Sequence, residues 1–95
     1  MRLKLYSSRR GASAANLVAL QSADLDMLPT VLVCPLQEDF PLTRLRVVVE
    51  CDGRKLVALC ELTRPINRRI LEPAGELSES DSRRVMVTFR LLLAR

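Results

Sequence analysis

The stretch from residue 17 to residue 36 constrains the fold of this chain more than any other. Two short apolar runs, residues 17–20 and 31–34, flank a polar segment that contains Pro29. An apolar run rich in Leu and Val, a break and a second such run predict two β-strands joined by a connector. Because proline has no N–H to donate to a sheet ladder, we predict that the second strand ends at Pro35.

The other strands are predicted from alternation and from turn residues. Residues 2–6 alternate between polar and apolar side chains, which is typical of a half-buried strand. Residues 45–51 and 55–62 surround Asp52-Gly53, a strong signal for a β-hairpin, because glycine accepts the positive φ that such turns need. Residues 64–69 are interpreted as a basic connector broken by Pro65.

The last part of the chain changes to a helical period. Ser78 is followed three residues later by Asp81, a pattern typical of a helix start. Apolar residues then recur at helical spacing, which predicts an amphipathic helix of about four turns; they are Val85, Met86, Phe89, Leu92 and Leu93. Together these patterns predict a mainly β fold with one C-terminal helix, in which about five short antiparallel strands form a small barrel or a strongly bent sheet.

Composition limits the classes of function. The 95 residues are enough for a single domain, spanning residues 1–95, and only three of them are aromatic, so the core is expected to be aliphatic. The net charge of +4 would attract nucleic acid or an acidic protein segment, but this value is also common on domains that bind neither. No apolar run approaches the roughly 20 residues of a membrane helix, so we expect a cytoplasmic protein with no membrane partner.

The residue types that usually hold metals or start catalysis are scarce. The chain has no histidine, and its cysteines, Cys34, Cys51 and Cys60, lie in apolar runs without a C-x-x-C pair. We therefore predict buried reduced thiols, no metal and no cofactor. No spacing typical of a paired-carboxylate site is found among Glu61, Glu72, Glu76 and Glu79. The sequence therefore predicts no catalytic residues and no enzyme.

Several segments resemble one toxin superfamily, which joins the CcdB-like gyrase poisons with the Kid, PemK and MazF-like RNA endonucleases. The segments are LKLY at residues 3–6, LQSADLD at 20–26, VLVCPL at 31–36 and GELS at 75–78. They look closer to the CcdB-like branch. The resemblance implies an SH3-like barrel, a homodimer and the toxin of a type II toxin–antitoxin module that acts by protein contact on DNA gyrase. The chain departs from that branch because it lacks the C-terminal Trp-Gly-Ile tail.

The resemblance also implies which residues bind partners. Target-binding residues are expected in the acidic passage and at the end of the helix, namely Asp24, Leu25, Leu91, Leu92, Leu93 and Arg95. Since a helix cannot bury three successive leucines on one narrow face, at least one of the last leucines is expected to face a dimer mate or a target. The basic connector is expected to bind the acidic tail of an antitoxin through Arg64, Arg68 and Arg69.

Two alternatives stay open. One is an RNA endonuclease of the MazF-like branch, in which Arg9 or Arg10 stabilises a phosphate. The early arginine segment of that branch is absent, however, and Leu36-Gln37 follows the third strand where that branch has Ser or Thr. Direct nucleic-acid binding is therefore not expected. The other alternative is a non-toxic relative that retains the fold as an antitoxin-binding module.

Overall fold

Seven antiparallel strands and one α-helix are found in the computed structural model, which describes residues 2–8, 14–20, 28–38 and 41–93. The elements are β1 Lys4–Ser7, β2 Leu17–Ala19, β3 Thr30–Gln37, β4 Arg46–Cys51, β5 Arg54–Leu59, β6 Arg64–Asn67, β7 Glu72–Glu76 and α1 Glu79–Leu93, with single 3-10 turns at Cys60–Leu62 and Arg68–Ile70. The sheet curls into a half-barrel. The predicted fold class, mainly β with one C-terminal helix, is confirmed.

Strand β3 joins the two parts of the sheet. The strands follow the order β4-β5-β3-β2-β1-β7, and β6 also pairs with β3. The first half of β3 pairs with β6 at residues 30–33, its middle pairs with β2 at residues 33–35, and its end pairs with β5 at residues 36 and 37. The end of β3 therefore lies close to the beginning of β2 and to the second half of β5.

Strand β2 and residues 33–36 of β3 have little exposure on either face, which explains why these segments are continuous apolar runs. Val18 and Cys34 belong to the core that α1 covers, together with Val49, Leu77 and Val85. The alternate residues of the same strands face a second core, which consists of Tyr6, Leu17, Ala19, Val31, Val33 and Leu71. A strand buried on both faces needs apolar side chains at nearly every position.

The predicted end of a strand at Pro35 is wrong, because β3 continues to Gln37. Leu32 O accepts from Leu20 N, and Leu36 N donates to Asn16 O, so the even-numbered residues of β3 direct their backbone groups toward β2. By alternation, the nitrogen of Pro35 faces the opposite edge of β3. At that edge β6 pairs only with residues 30–33 and β5 only with residues 36 and 37, so no ladder bond requires a donor at Pro35.

The basic connector predicted at residues 64–69 is also wrong in part. Residues 64–67 form β6, which pairs with β3, and Glu72–Glu76 form β7, which pairs with β1. Both strands contain a proline, Pro65 and Pro73, which discouraged their prediction as strands. Each of these two strands lies at the margin of the described sheet, where a proline that lacks an N–H removes no hydrogen bond between strands. The strand predicted at residues 55–62 is shorter, because Cys60 begins a 3-10 turn.

The predicted hairpin and helix start are confirmed. Asp52 and Gly53 have φ values of 51° and 77°, as a two-residue hairpin turn requires. The Ser78 hydroxyl oxygen accepts the backbone N–H of Asp81 at 3.1 Å and so caps α1. Among the residues that the structure describes, no helix has the length and apolar character needed to span a bilayer.

Candidate functional site

A cleft of about 400 Å³ opens where three strand ends meet. Its walls come from the end of β1, the residues before β2, the end of β3 and the start of β5. They are lined by Ser7, Ala14, Ala15, Asn16, Leu36, Gln37, Glu38, Arg54 and Leu56. The cleft lies where β3 passes from pairing with β2 to pairing with β5.

Asn16 fixes one wall of the cleft. Its backbone N–H donates to Tyr6 O at 3.0 Å, and its carbonyl oxygen accepts from Leu36 N at 2.9 Å. Its side-chain Oδ1 accepts from Ser8 N at 3.0 Å, and Nδ2 donates to Ser8 Oγ at 2.8 Å. One residue thus connects the ends of β1 and β3 to the beginning of β2, and the wall is held by four hydrogen bonds.

Glu38 and Arg54 place opposite charges in the cleft. Arg54 Nη1 donates to Glu38 Oε1 at 3.1 Å, and their side chains are 47% and 62% exposed. The pairing of Gln37 with Val57 brings the end of β3 beside β5, and the Asp52-Gly53 turn comes immediately before Arg54. An ion pair this exposed contributes about 0–1 kcal/mol. Each side chain can therefore exchange its partner for a ligand at little cost.

The arrangement combines an anion-binding group with a proton acceptor. A guanidinium has five N–H donors in a planar fork that matches phosphate oxygens, and only one donor of Arg54 is used by Glu38 in the contact above. A carboxylate within hydrogen-bond reach can accept a proton from a substrate hydroxyl. Within the described ranges, no group of three or more potential metal ligands is present.

The cysteines do not supply a nucleophile to this site. Cys34, Cys51 and Cys60 are buried and free, as predicted. The neighbouring Cys60 thiol and burial raise the pKa of Cys34, and burial raises the pKa of Cys51. The hydrogen bond with the Cys34 thiol lowers the pKa of Cys60, but Cys60 is buried. None of the three cysteines lines the cleft.

The predicted target-binding residues lie away from the cleft or outside the described residues. Leu91 and Leu93, at the end of α1, are 54% and 67% exposed, and Leu92 is half-buried. None of these three leucines lines the cleft. Asp24, Leu25 and Arg95 fall outside the described residues, as do Arg9 and Arg10, which were considered for phosphate binding.

The three predicted antitoxin-binding arginines differ in their surroundings. Arg64 and Arg69 are exposed. Arg68 is half-buried; its Nε donates to Leu28 O at 2.9 Å and its backbone N–H donates to Pro29 O at 2.9 Å. These bonds hold the segment that leads into β3, which gives Arg68 a structural role. Its contact with an antitoxin stays a prediction.

Sequence reasoning missed Glu38, Arg54 and Asn16. The argument from carboxylate spacing concerns only Glu61, Glu72, Glu76 and Glu79. Glu38 instead pairs with an arginine 16 residues later. One signal was available, because Glu38 follows one strand and Arg54 begins another directly after a hairpin turn. That signal becomes informative only when the pairing of β3 with β5 is known.

Comparison with known proteins identifies relatives by structure alone. No model of a known protein family matches the sequence, and no curated protein matches it. Among solved structures, the MazE–MazF complex (form II) from Deinococcus radiodurans is 16% identical, with a TM-score of 0.71, and the match covers 97% of this chain and 89% of that chain. The Mycobacterium tuberculosis toxin MazF-mt6 is also 16% identical, with a TM-score of 0.74, and the match covers 99% and 97%.

These matches show a shared fold and correct one prediction. At 16% identity they show that this chain shares the fold of the MazF toxins. The predicted closeness to the CcdB branch is not confirmed, and action on gyrase receives no support. The prediction that this is not an enzyme is wrong, because the similar structures are MazF toxins, the branch whose members cleave RNA.

Proposed function

We propose that this protein is the toxin of a bacterial toxin–antitoxin module and that it cleaves RNA in the cleft between β3 and β5. The observation that carries the proposal is the Glu38–Arg54 pair, with 3.1 Å between donor and acceptor, in an open cleft on a fold that MazF toxins share. RNA is the substrate because its 2′-hydroxyl provides the nucleophile, so the protein needs neither a histidine nor a metal ion.

Glu38 and Arg54 have different roles in the proposed phosphodiester cleavage. The Glu38 carboxylate accepts the proton of a 2′-hydroxyl, whose oxygen forms a bond to the adjacent phosphorus while the bond from phosphorus to the 5′-oxygen breaks. The Arg54 guanidinium neutralises the charge that develops on the phosphate oxygens. Water protonates the departing 5′-oxygen, since both side chains are open to solvent. The products are a 2′,3′-cyclic phosphate and a free 5′-hydroxyl.

The proposed site differs from the pattern of the nuclease branch. The nuclease branch has Ser or Thr after the third strand, whereas here β3 ends at Gln37 and the residue after it is Glu38, the proposed base. The cation comes from Arg54 on β5, not from an arginine early in the chain. The proposal therefore shares only the fold with that branch, and the cleft and the residues that perform the chemistry are this chain's own.

The proposed partners are an antitoxin and a second copy of the chain. One similar structure is a complex of MazF with MazE, which motivates the antitoxin. The exposed Arg64 is suited to an acidic antitoxin tail. Leu91 and Leu93 together expose an apolar surface at the end of α1, and we propose that it is buried in a homodimer. The bacterial cytoplasm, where RNA and an antitoxin are available, is the proposed location.

Expression in a bacterial host tests the function directly. Wild type, Glu38→Gln and Arg54→Ala are induced in parallel, followed by growth measurements, primer extension on total RNA and plasmid topology. We expect wild type to arrest growth and cut RNA while supercoiling stays normal, and both variants to do neither. Relaxed plasmids with intact RNA would instead support a gyrase poison. Normal growth with soluble wild-type protein would support a non-toxic relative.

A further inference from the structure

A second depression adjoins the cleft across the end of β1. It has a volume of about 300 Å³ and is lined by Ser8, Arg69, Ile70 and Glu72. Ser7 lines the cleft and pairs across the sheet with Glu72, so the successive residues Ser7 and Ser8 separate the two concavities. An extended ligand in the cleft needs only to pass over this wall to reach the depression.

The local backbone presents Arg69 and Ile70 at the surface. Asn67 Oδ1 accepts the backbone N–H of Arg69 at 2.9 Å, and Leu71 N donates to Arg68 O at 3.2 Å, which closes a 3-10 turn. Leu71 is buried in the second core, whereas Ile70, next to it, is 59% exposed. The turn therefore fixes one cation beside one uncovered apolar side chain.

We propose that this depression, which we call the Arg69 subsite, binds a nucleotide of the RNA strand that flanks the cleaved bond. In this arrangement Arg69 contacts a phosphate, Ile70 packs against the apolar face of the sugar or base, and Glu72 accepts a hydrogen bond from a hydroxyl or an amino group. The inference rests on the proposed function, because the neighbouring cleft supplies the rest of the strand.

The mixed chemistry of the subsite favours RNA over an acidic peptide. Arg69 alone would attract either ligand. Glu72, however, repels a run of carboxylates, and acidic side chains have no donor to offer it. A nucleotide carries a single phosphate charge together with hydroxyl or amino donors and an apolar face, and each of these has a counterpart among Arg69, Glu72 and Ile70.

Length-dependent binding tests the subsite. Fluorescence anisotropy is measured with random-sequence RNA of three and of ten nucleotides, using proteins that carry Glu38→Gln so that the RNA stays intact. We expect Arg69→Ala to weaken binding of the ten-nucleotide RNA about threefold to tenfold and to leave the three-nucleotide RNA within about twofold. The slope of log K against log salt should fall by about 0.7, the value for one phosphate of a single strand.

Two further variants distinguish the contribution of the apolar contact at Ile70 from that of a positive charge elsewhere on the surface. Ile70→Ser should weaken binding of the longer RNA without changing the salt slope, because no charge is removed. Lys55→Ala, which removes an exposed cation on β5, is the matched control and should behave as the parent. The subsite is overturned if Arg69→Ala and Lys55→Ala behave alike, or if the longer RNA binds no better than the shorter one.

The remaining outcomes distinguish this inference from the proposed function. If Arg69→Ala weakens binding of deca-glutamate but not of RNA, the depression is a site for an acidic partner and the inference is wrong. Cleavage is measured separately, with proteins that retain Glu38. If wild type cleaves RNA and Arg69→Ala binds the longer RNA normally, only the inference fails. If wild type cleaves nothing but the length-dependent loss is observed, the proposed function fails and the subsite remains.

Discussion

The carboxylate of Asp81 on α1 accepts the backbone N–H of Glu50 on β4, with 3.0 Å between Oδ2 and N. Three residues later on the helix, Arg84 donates to the carbonyl of Val48 and to Asp81 Oδ1. Strand β4 is the last strand of the described sheet on this side, and such a strand presents unpaired backbone groups. Helix side chains satisfy these groups, so the helix protects the sheet margin from pairing with another chain.

Removing Asp81 should destabilise the protein. In Asp81→Ala the Glu50 N–H and the Arg84 guanidinium lose a charged acceptor, and hydrogen bonds to charged groups contribute about 1.5–3 kcal/mol each. We expect the free energy of unfolding to fall by about 2 kcal/mol in urea titrations at pH 7. A loss below about 0.5 kcal/mol would show that the contact between α1 and β4 does not stabilise the fold.

The same contact predicts a pH dependence. Partial burial acts to raise the pKa of Asp81, but the Glu50 N–H, the Arg84 guanidinium and the Ser78 hydroxyl outweigh it, so the net pKa is lowered. The resulting stability is fully present above the unfolded-state pKa of about 3.9 and is lost as the pH falls through the lower folded-state value. The stability difference between wild type and Asp81→Asn should therefore shrink between pH 5 and pH 2; a constant difference would contradict this.

Ser82 connects the helix to the first strand. Its buried hydroxyl oxygen accepts the backbone N–H of Leu3 at 2.9 Å, and both residues are almost fully buried. Ser82→Ala leaves this N–H without its acceptor, which costs about 1–3 kcal/mol. We expect such a loss in chemical unfolding, with less than about 0.5 kcal/mol for Ser80→Ala, an exposed serine on the same helix. Equal effects of the two variants would refute this role of Ser82.

The hairpin turn before Arg54 requires glycine because of its positive backbone φ. A side chain at this position would meet no steric obstacle. Gly53 has a φ of 77°, and an added Cβ would meet no atom within 4 Å. Gly53→Ala should therefore cost only the conformational penalty of about 1 kcal/mol. Asp52 also has a positive φ, so Asp52→Gly should be neutral or stabilising. Thermal unfolding measures both changes in stability. A Gly53→Ala variant as stable as wild type would contradict the turn geometry.

The end of α1 predicts an oligomeric state. Leu91 and Leu93 are exposed, and the proposed homodimer buries them. The double variant Leu91→Glu/Leu93→Glu should sediment as a monomer and keep the wild-type circular dichroism spectrum. Ile70→Glu, at an exposed apolar residue elsewhere, should remain dimeric. A monomeric wild type at micromolar concentration, or a double variant that stays dimeric, would rule out this interface.

The sequence predicted the elements whose local signals agree with their tertiary surroundings. The Asp52-Gly53 turn and the Ser78 cap depend only on nearby residues, and both are present. Strands β6 and β7 were missed because Pro65 and Pro73 are locally unfavourable for strands. A position at the margin of the sheet removes that penalty, and the position depends on residues far away in the chain.

The candidate site was less predictable than the fold. Glu38 and Arg54 come into contact only because β3 leaves β2 and pairs with β5. This pairing is a property of the whole sheet. The terminal leucines, by contrast, were expected to leave an apolar side chain uncovered, and Leu91 and Leu93 are exposed. Helical periodicity was sufficient for that expectation, whereas the chemistry of the cleft required the strand pairing.

Cleavage of RNA by the purified protein tests the central claim most directly. Wild type, Glu38→Gln and Arg54→Ala are incubated with single-stranded RNA and with the same sequence as DNA, with Glu50→Gln and Lys55→Ala as controls on the neighbouring hairpin. We predict RNA fragments ending in 2′,3′-cyclic phosphate, no cleavage of DNA, a rate loss of about 100-fold or more in the two cleft variants, and wild-type rates in the controls. Intact RNA with folded wild-type protein, or cleavage that survives both cleft substitutions, would contradict the account.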